Sequence, residues 1–157
     1  MCPQFDEVLI PVEWVEAKRT RDRTRLTLEM SKTAFEAERA LMIFPAGRLA
    51  RRVDGVLKDP EWMSTAISLA RKHGCPVVPM HLEGPYAALF HFFDRFSKEL
   101  RDITLFHELL NKRGKLFRLT VGKPIPPEAL GDAAGVTLKI KQLCEIDLAR
   151  DPDASMG

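Results

Sequence analysis

The sequence predicts an α/β protein built on a single, mostly parallel central sheet flanked by helices. Three observations predict it. Short apolar runs of strand length recur at Val8-Leu9-Ile10, Leu41-Met42-Ile43-Phe44 and Val77-Val78, each stopped by a proline at Pro11, Pro45 and Pro79. These prolines are evenly spaced, at an interval that suits one strand–helix–strand unit of about 30 or more residues. The segments between them share no common pattern, which excludes a helical-repeat array of similar period. In parallel strands the prolines mark carboxyl ends, the edge at which open α/β sheets bind ligands.

The 157 residues fit one domain, expected over residues 1–150, with a frayed, disordered tail over 151–157. Twenty-four Lys and Arg against 22 Asp and Glu leave a formal net charge of +2, so no global field argues for nucleic acid. No apolar run reaches transmembrane length, and the first residues lack the basic and apolar regions of a secretory signal. Cys2, Cys75 and Cys144 have neither zinc nor Cys-x-x-Cys spacing, which suits a reducing cytoplasm and predicts no metal site. Cys75 reads as a small apolar filler.

The first connection, residues 18–38, opens with cations from Lys18 to Arg25. It continues with Leu26, Met30, Ala34, Ala37 and Leu41 at helical spacing. Arg25 with Glu29 and Lys32 with Glu36 are i,i+4 pairs for its exposed face. The basic front could hold an anionic headgroup or nucleic acid, but it reads more readily as a solvated face, since no aromatic residues are interleaved for base stacking. In the second connection, Asp54-Gly55 marks a turn and Asp59-Pro60 has the form of an N-cap with a first-turn proline. Met63, Ile67 and Ala70 form a helical stripe ending at Gly74, and a strand follows over residues 75–81. Tyr86, Leu89, Phe93, Phe96 and Leu100 then make one aromatic helical face, compatible with a helix lying on a bilayer and equally with a core helix. Residues 111–115 form a basic turn, residues 116–121 alternate as a half-buried strand, and Val136, Ile140 and Leu143 mark a last helix.

The candidate site is Phe44-Pro45-Ala46-Gly47-Arg48. Gly47 lets the backbone turn sharply or approach a ligand, and Arg48 offers a planar cation suited to phosphate or carboxylate. Taken alone, such residues are more often a surface turn with a solvated arginine than an anion cradle. His81, just past a strand end, is the nearest proton acceptor, although a lone histidine there is more often structural.

In order, these blocks resemble the glycerolipid acyltransferase superfamily, the lysophosphatidate-type enzymes, and most of all its hemolysin-like and ornithine-lipid branch. The resemblance covers residues 5–126. Phe44-Pro45-Ala46-Gly47-Arg48 is similar to the family's Phe-Pro-Glu-Gly-Thr-Arg block in a shorter form. Cys75-Pro76-Val77-Val78-Pro79-Met80 is similar to its later apolar-proline block. Ala88-Leu89-Phe90 and Glu108-Leu109-Leu110-Asn111-Lys112-Arg113-Gly114-Lys115 also fit that branch. The resemblance implies a fatty acyl group passed from acyl-CoA or acyl-carrier protein, as co-substrate and without a cofactor, to a lyso-lipid acceptor in phospholipid or ornithine-lipid synthesis. It also implies a cytoplasmic protein, peripheral on the inner face of the membrane. Phe44, Pro45, Gly47 and Arg48 would hold the phosphate or headgroup, and Val78, Pro79 and His81 the pocket wall.

The family's His-x-x-x-x-Asp motif supplies a general base and the residue that orients it. Here the positions five after His73, His81, His91 and His107 are Val78, Tyr86, Phe96 and Lys112, so the motif is absent and no catalytic residue is assigned. The expectation is an amino-terminally truncated member with impaired transfer, or alternatively a non-catalytic lipid- or partner-binding module. A nucleotide-binding α/β domain is disfavoured, because neither GxGxxG nor a GxxxxGK[ST] loop is present.

Overall fold

The computed structural model describes residues 8–12, 20–48, 50–53, 56–84 and 110–156. The chain falls into two compact units, Met1–Gly47 and Arg48–Gly157.

In the first unit, helix α1 spans Arg21–Glu36. Thr20 caps it, its hydroxyl accepting from the Arg23 N–H at 3.3 Å, and Asp22 favours the positive end of the helix dipole. The expected pairs Arg25–Glu29 and Lys32–Glu36 form, at 2.8 and 3.5 Å. The buried face differs from the predicted stripe. Ala34 and Ser31 are buried, whereas Leu26 is exposed. Ser31 tolerates burial because its hydroxyl donates to the Thr27 carbonyl at 2.8 Å, so no polar group is orphaned.

Helix α1 ends in a Schellman arrangement. Arg39 N–H donates to Ala34 O and Glu38 N–H to Phe35 O, with Glu38 in the left-handed region at φ 54°. A side chain other than glycine is strained there. Glu38→Gly should therefore raise the stability of this unit by roughly 0.5–1 kcal/mol, after allowing for glycine's extra freedom in the unfolded chain. A urea midpoint that moves down instead would show that Glu38 makes a compensating contact.

The two strands expected in this unit are absent. Residues 9–12 and 41–44 have no strand conformation. Leu9 and Ile10 instead line an open groove of about 230 Å³ beside Met30, Thr33 and Ala34 of α1, and Thr27 Oγ1 donates to the Pro11 carbonyl at 2.7 Å. Met42, Ile43 and Phe44 are exposed.

The second unit contains two separate antiparallel pairs. Strands β1 (Arg51–Val53) and β2 (Val56–Lys58) pair across residues 54–55, where the turn was expected and which lie outside the described residues. Strands β3 (Met80–Glu83) and β4 (Arg118–Val121) pair in the register Met80↔Val121, His81↔Thr120, Leu82↔Leu119, Glu83↔Arg118. A lone bridge links Val77 to Ile125, also antiparallel. Among the described residues every strand pair is therefore antiparallel, and no parallel central sheet is seen. The strand expected over 75–81 is displaced to Met80–Glu83. The aromatic segment, its flanking residues 85–109, His91 and His107 lie outside the described residues.

Helix α2 spans Thr65–Lys72 and buries Ile67 and Ala70. Gly74 ends it as expected, at φ 62°, with Cys75 N–H on Ala70 O and Gly74 N–H on Arg71 O. The predicted cap is corrected: Ser64, not Asp59, precedes the helix. Asp59 is drawn away by tertiary partners. Its N–H donates to Glu145 Oε1 at 2.8 Å, and its carboxylate accepts from Trp62 Nε1 at 3.1 Å. Lys141 completes this half-buried knot, 2.7 Å from Glu145 Oε2.

A 3-10 turn at Pro127–Ala129 leads to α3 (Ala133–Gln142), which is capped by Asp132 accepting from Gly135 N–H at 2.7 Å. The run continues through a π turn at Leu143–Asp147 into a last turn at Leu148–Arg150. The expected stripe Val136, Ile140 and Leu143 is buried. The core joins Ile67 and Ala70 of α2 to Ile125, Leu130, Val136, Ile140 and Cys144. Trp62, Val77 and Met156, the last lying in the segment read as a tail, pack against it.

Candidate functional site

Residues 44–47 form a tight turn. Gly47 N–H donates to the Phe44 carbonyl at 3.1 Å, with proline at the second position and glycine at the fourth, the preferences of a type I turn. Gly47 has φ 60°, and a Cβ placed on it would meet nothing within 4 Å. Backbone conformation, rather than crowding, is what calls for glycine here. Phe44 is 78% exposed and Pro45 half-buried. Arg48 is exposed and begins the second unit. The turn thus presents an exposed aromatic ring and a bare backbone corner in the first unit, with the guanidinium one residue further on.

The pocket-wall residues lie in the second unit. Val78 is exposed, whereas Pro79 is buried with its ring against Gly122. His81 is half-buried, its Nδ1 2.7 Å from the Cys144 carbonyl. A carbonyl only accepts, so Nδ1 carries the proton, and in the neutral ring Nε2 keeps the lone pair. The π turn explains why that carbonyl is available. Leu148 N–H reaches back to Leu143 O rather than to Cys144 O, and the vacated acceptor takes the imidazole. His81 thereby ties β3 to the carboxyl-terminal run. This contact spans 63 positions and has no local sequence signal.

Cys144 sits behind this contact. Burial pushes its thiol above the ordinary value of 9.0; the Glu145 and Asp59 carboxylates push the same way, and a hydrogen bond with the Met80 backbone opposes them. Its contribution to stability is whole below that ordinary value and is lost as pH rises through the raised folded value. At pH 7–8 iodoacetamide should label half-buried Cys75 well before buried Cys144, a sequence readable by peptide mass. Equal rates would show that the His81 contact opens readily.

Among the described residues no group of three or more His, Cys, Asp or Glu is placed to hold a metal ion. None of their helices is long and apolar enough to cross a membrane.

A family model described as Acyltransferase matches residues 5–145, and the chain belongs to that family. A lyso-glycine lipid O-acyltransferase of Phocaeicola vulgatus is 32% identical over 118 residues, covering 71% of this chain and 42% of that protein. A protein of the same name from Bacteroides thetaiotaomicron is 33% identical over 104 residues, covering 62% and 38%. The chain thus spans about two fifths of the length of these curated relatives. No solved structure matches.

Proposed function

We propose that this chain takes part in acylation of a lyso-lipid, and that its own share is recognition of the acceptor's anionic head by the turn at residues 44–48. The observation that carries this is the tight turn of Phe44, Pro45 and Gly47 followed by exposed Arg48, inside the stretch matched by the acyltransferase family. A guanidinium engages phosphate or carboxylate in a bidentate manner, so both a phosphate head and the carboxylate of an amino-acid lipid suit Arg48. The names of the two relatives favour a lyso-glycine lipid as acceptor. The donor is acyl-CoA or acyl-carrier protein, and the setting is the cytoplasmic face of a membrane, with the protein peripheral to it.

Transfer itself is impaired in this chain, since no histidine in it precedes an aspartate at the spacing that the family's base and orienter require. An assay of the purified chain with acyl-CoA and a lyso-glycine lipid or lysophosphatidate tests this. Binding without turnover is expected. Turnover at an ordinary enzymatic rate, about 1 per second or faster, would overturn the impairment.

A further inference from the structure

The β3–β4 pair has two unlike faces. On one, Pro79 and Gly122 are buried; a Cβ on Gly122 would lie 2.9 Å from the Pro79 ring and 3.1 Å from Leu148. His81 and Thr120 share this face and are half-buried. On the other face Met80 stands opposite Val121 and Leu82 opposite Leu119, with Phe117 one step beyond, beside Gly84. A Cβ on Gly84 would overlap the Phe117 ring, so glycine is what lets that ring lie across the strand end. Met80, Leu82, Phe117, Leu119 and Val121 are 41, 54, 44, 53 and 54% exposed. An antiparallel pair with one face on the core ordinarily turns polar residues outward; this one turns five large apolar residues outward.

The surroundings indicate what that face meets. From Leu110 to Ile125 the sequence holds Lys112, Arg113, Lys115, Arg118 and Lys123 and no acidic residue. Arg113 and Lys115 lie on the turn leading into β4, where Gly114 has φ 74° and Lys115 N–H donates to Lys112 O at 3.0 Å; both are exposed. Leu110 and Leu116, 76 and 85% exposed, stand on either side of this basic turn. Lys123 is exposed just past the far end of β4. The acid of the strand pair, Glu83, belongs to the opposite face and is 3.7 Å from Arg118. Apolar side chains ringed by cations match a bilayer interface with anionic headgroups, where the former enter the acyl boundary and the latter meet the phosphates.

We infer that the face of Met80, Leu82, Phe117, Leu119 and Val121, with the basic turn at 112–115, docks this chain on an anionic lipid surface. This deepens the proposed function by naming the surface that approaches the membrane, and it does not depend on Arg48.

Co-sedimentation with phosphatidylglycerol–phosphatidylcholine vesicles, against pure phosphatidylcholine vesicles, tests it. The chain should bind the anionic vesicles at least tenfold more tightly, and the preference should weaken in high salt. The double variant Leu82→Ser, Leu119→Ser should lose binding at least tenfold. Arg113→Glu with Lys115→Glu should lose about fivefold or more for each cation removed. All four positions are exposed, so circular dichroism should be unchanged. Arg48→Ala should still bind vesicles, which separates failure here from failure of the headgroup site. Equal binding to both vesicle types, or full binding by the serine variant, would overturn the inference. So would a stable dimer that the serine variant dissolves, because a second copy would then own this face.

Discussion

Arg48→Ala is expected to weaken binding of an anionic lyso-lipid by about 10- to 150-fold. The magnitude follows from the roughly 1.5–3 kcal/mol that a hydrogen bond to a charged group contributes. Alanine removes the planar fork, and the exposed position separates the loss from a folding defect. Arg48→Lys keeps the charge but not the fork. It should recover only part of the affinity if the head is held in a bidentate manner, and nearly all of it if charge alone matters. Titration calorimetry with lysophosphatidate and with a lyso-glycine lipid reads both variants. An unchanged affinity in Arg48→Ala would remove the headgroup role from this turn.

Leu148→Ala is expected to destabilise the second unit by about 2–5 kcal/mol. Leu148 is 1% exposed and packs over Gly122, next to the Pro79 ring. It also follows the π turn that frees the Cys144 carbonyl for His81. Truncating it leaves a cavity where the carboxyl-terminal run meets the β3–β4 pair. The measurement is the urea midpoint of the purified chain, with the m-value unchanged. A cost below about 1 kcal/mol would mean that the run adjusts to fill the space and that the His81 contact, rather than Leu148, holds it in place.

Local signals were legible in the sequence where short-range physics decides the outcome. Gly74 past the last residues of α2, the i,i+4 pairs of α1, the basic turn at 111–115 and the buried stripe of Val136, Ile140 and Leu143 all appear as their patterns predict. Distant partners were not legible. The apolar runs at 8–10 and 41–44 have strand composition, but strand formation needs a neighbouring strand, and a short apolar run does not declare one. Asp59 has the form of a helix cap until Glu145, 86 positions away, accepts from its N–H. In β4 the alternation was correct in period, yet its apolar set faces outward, because His81 and Thr120 take the inner side. The candidate turn was legible in its backbone: proline and glycine occur in the order a tight turn requires. The His81–Cys144 contact was hidden, because a π turn has no residue signature.

The most direct test is selectivity for the lipid head at constant acyl chain. Monomeric lysophosphatidate and the uncharged monoacylglycerol are titrated into the wild-type chain and into Arg48→Ala below their micelle concentrations. Recognition of an anionic head by the turn at 44–48 predicts that the wild type prefers the charged lipid by at least about tenfold, and that Arg48→Ala loses the preference while still binding anionic vesicles. Equal affinity of the wild-type chain for the two lipids would contradict it.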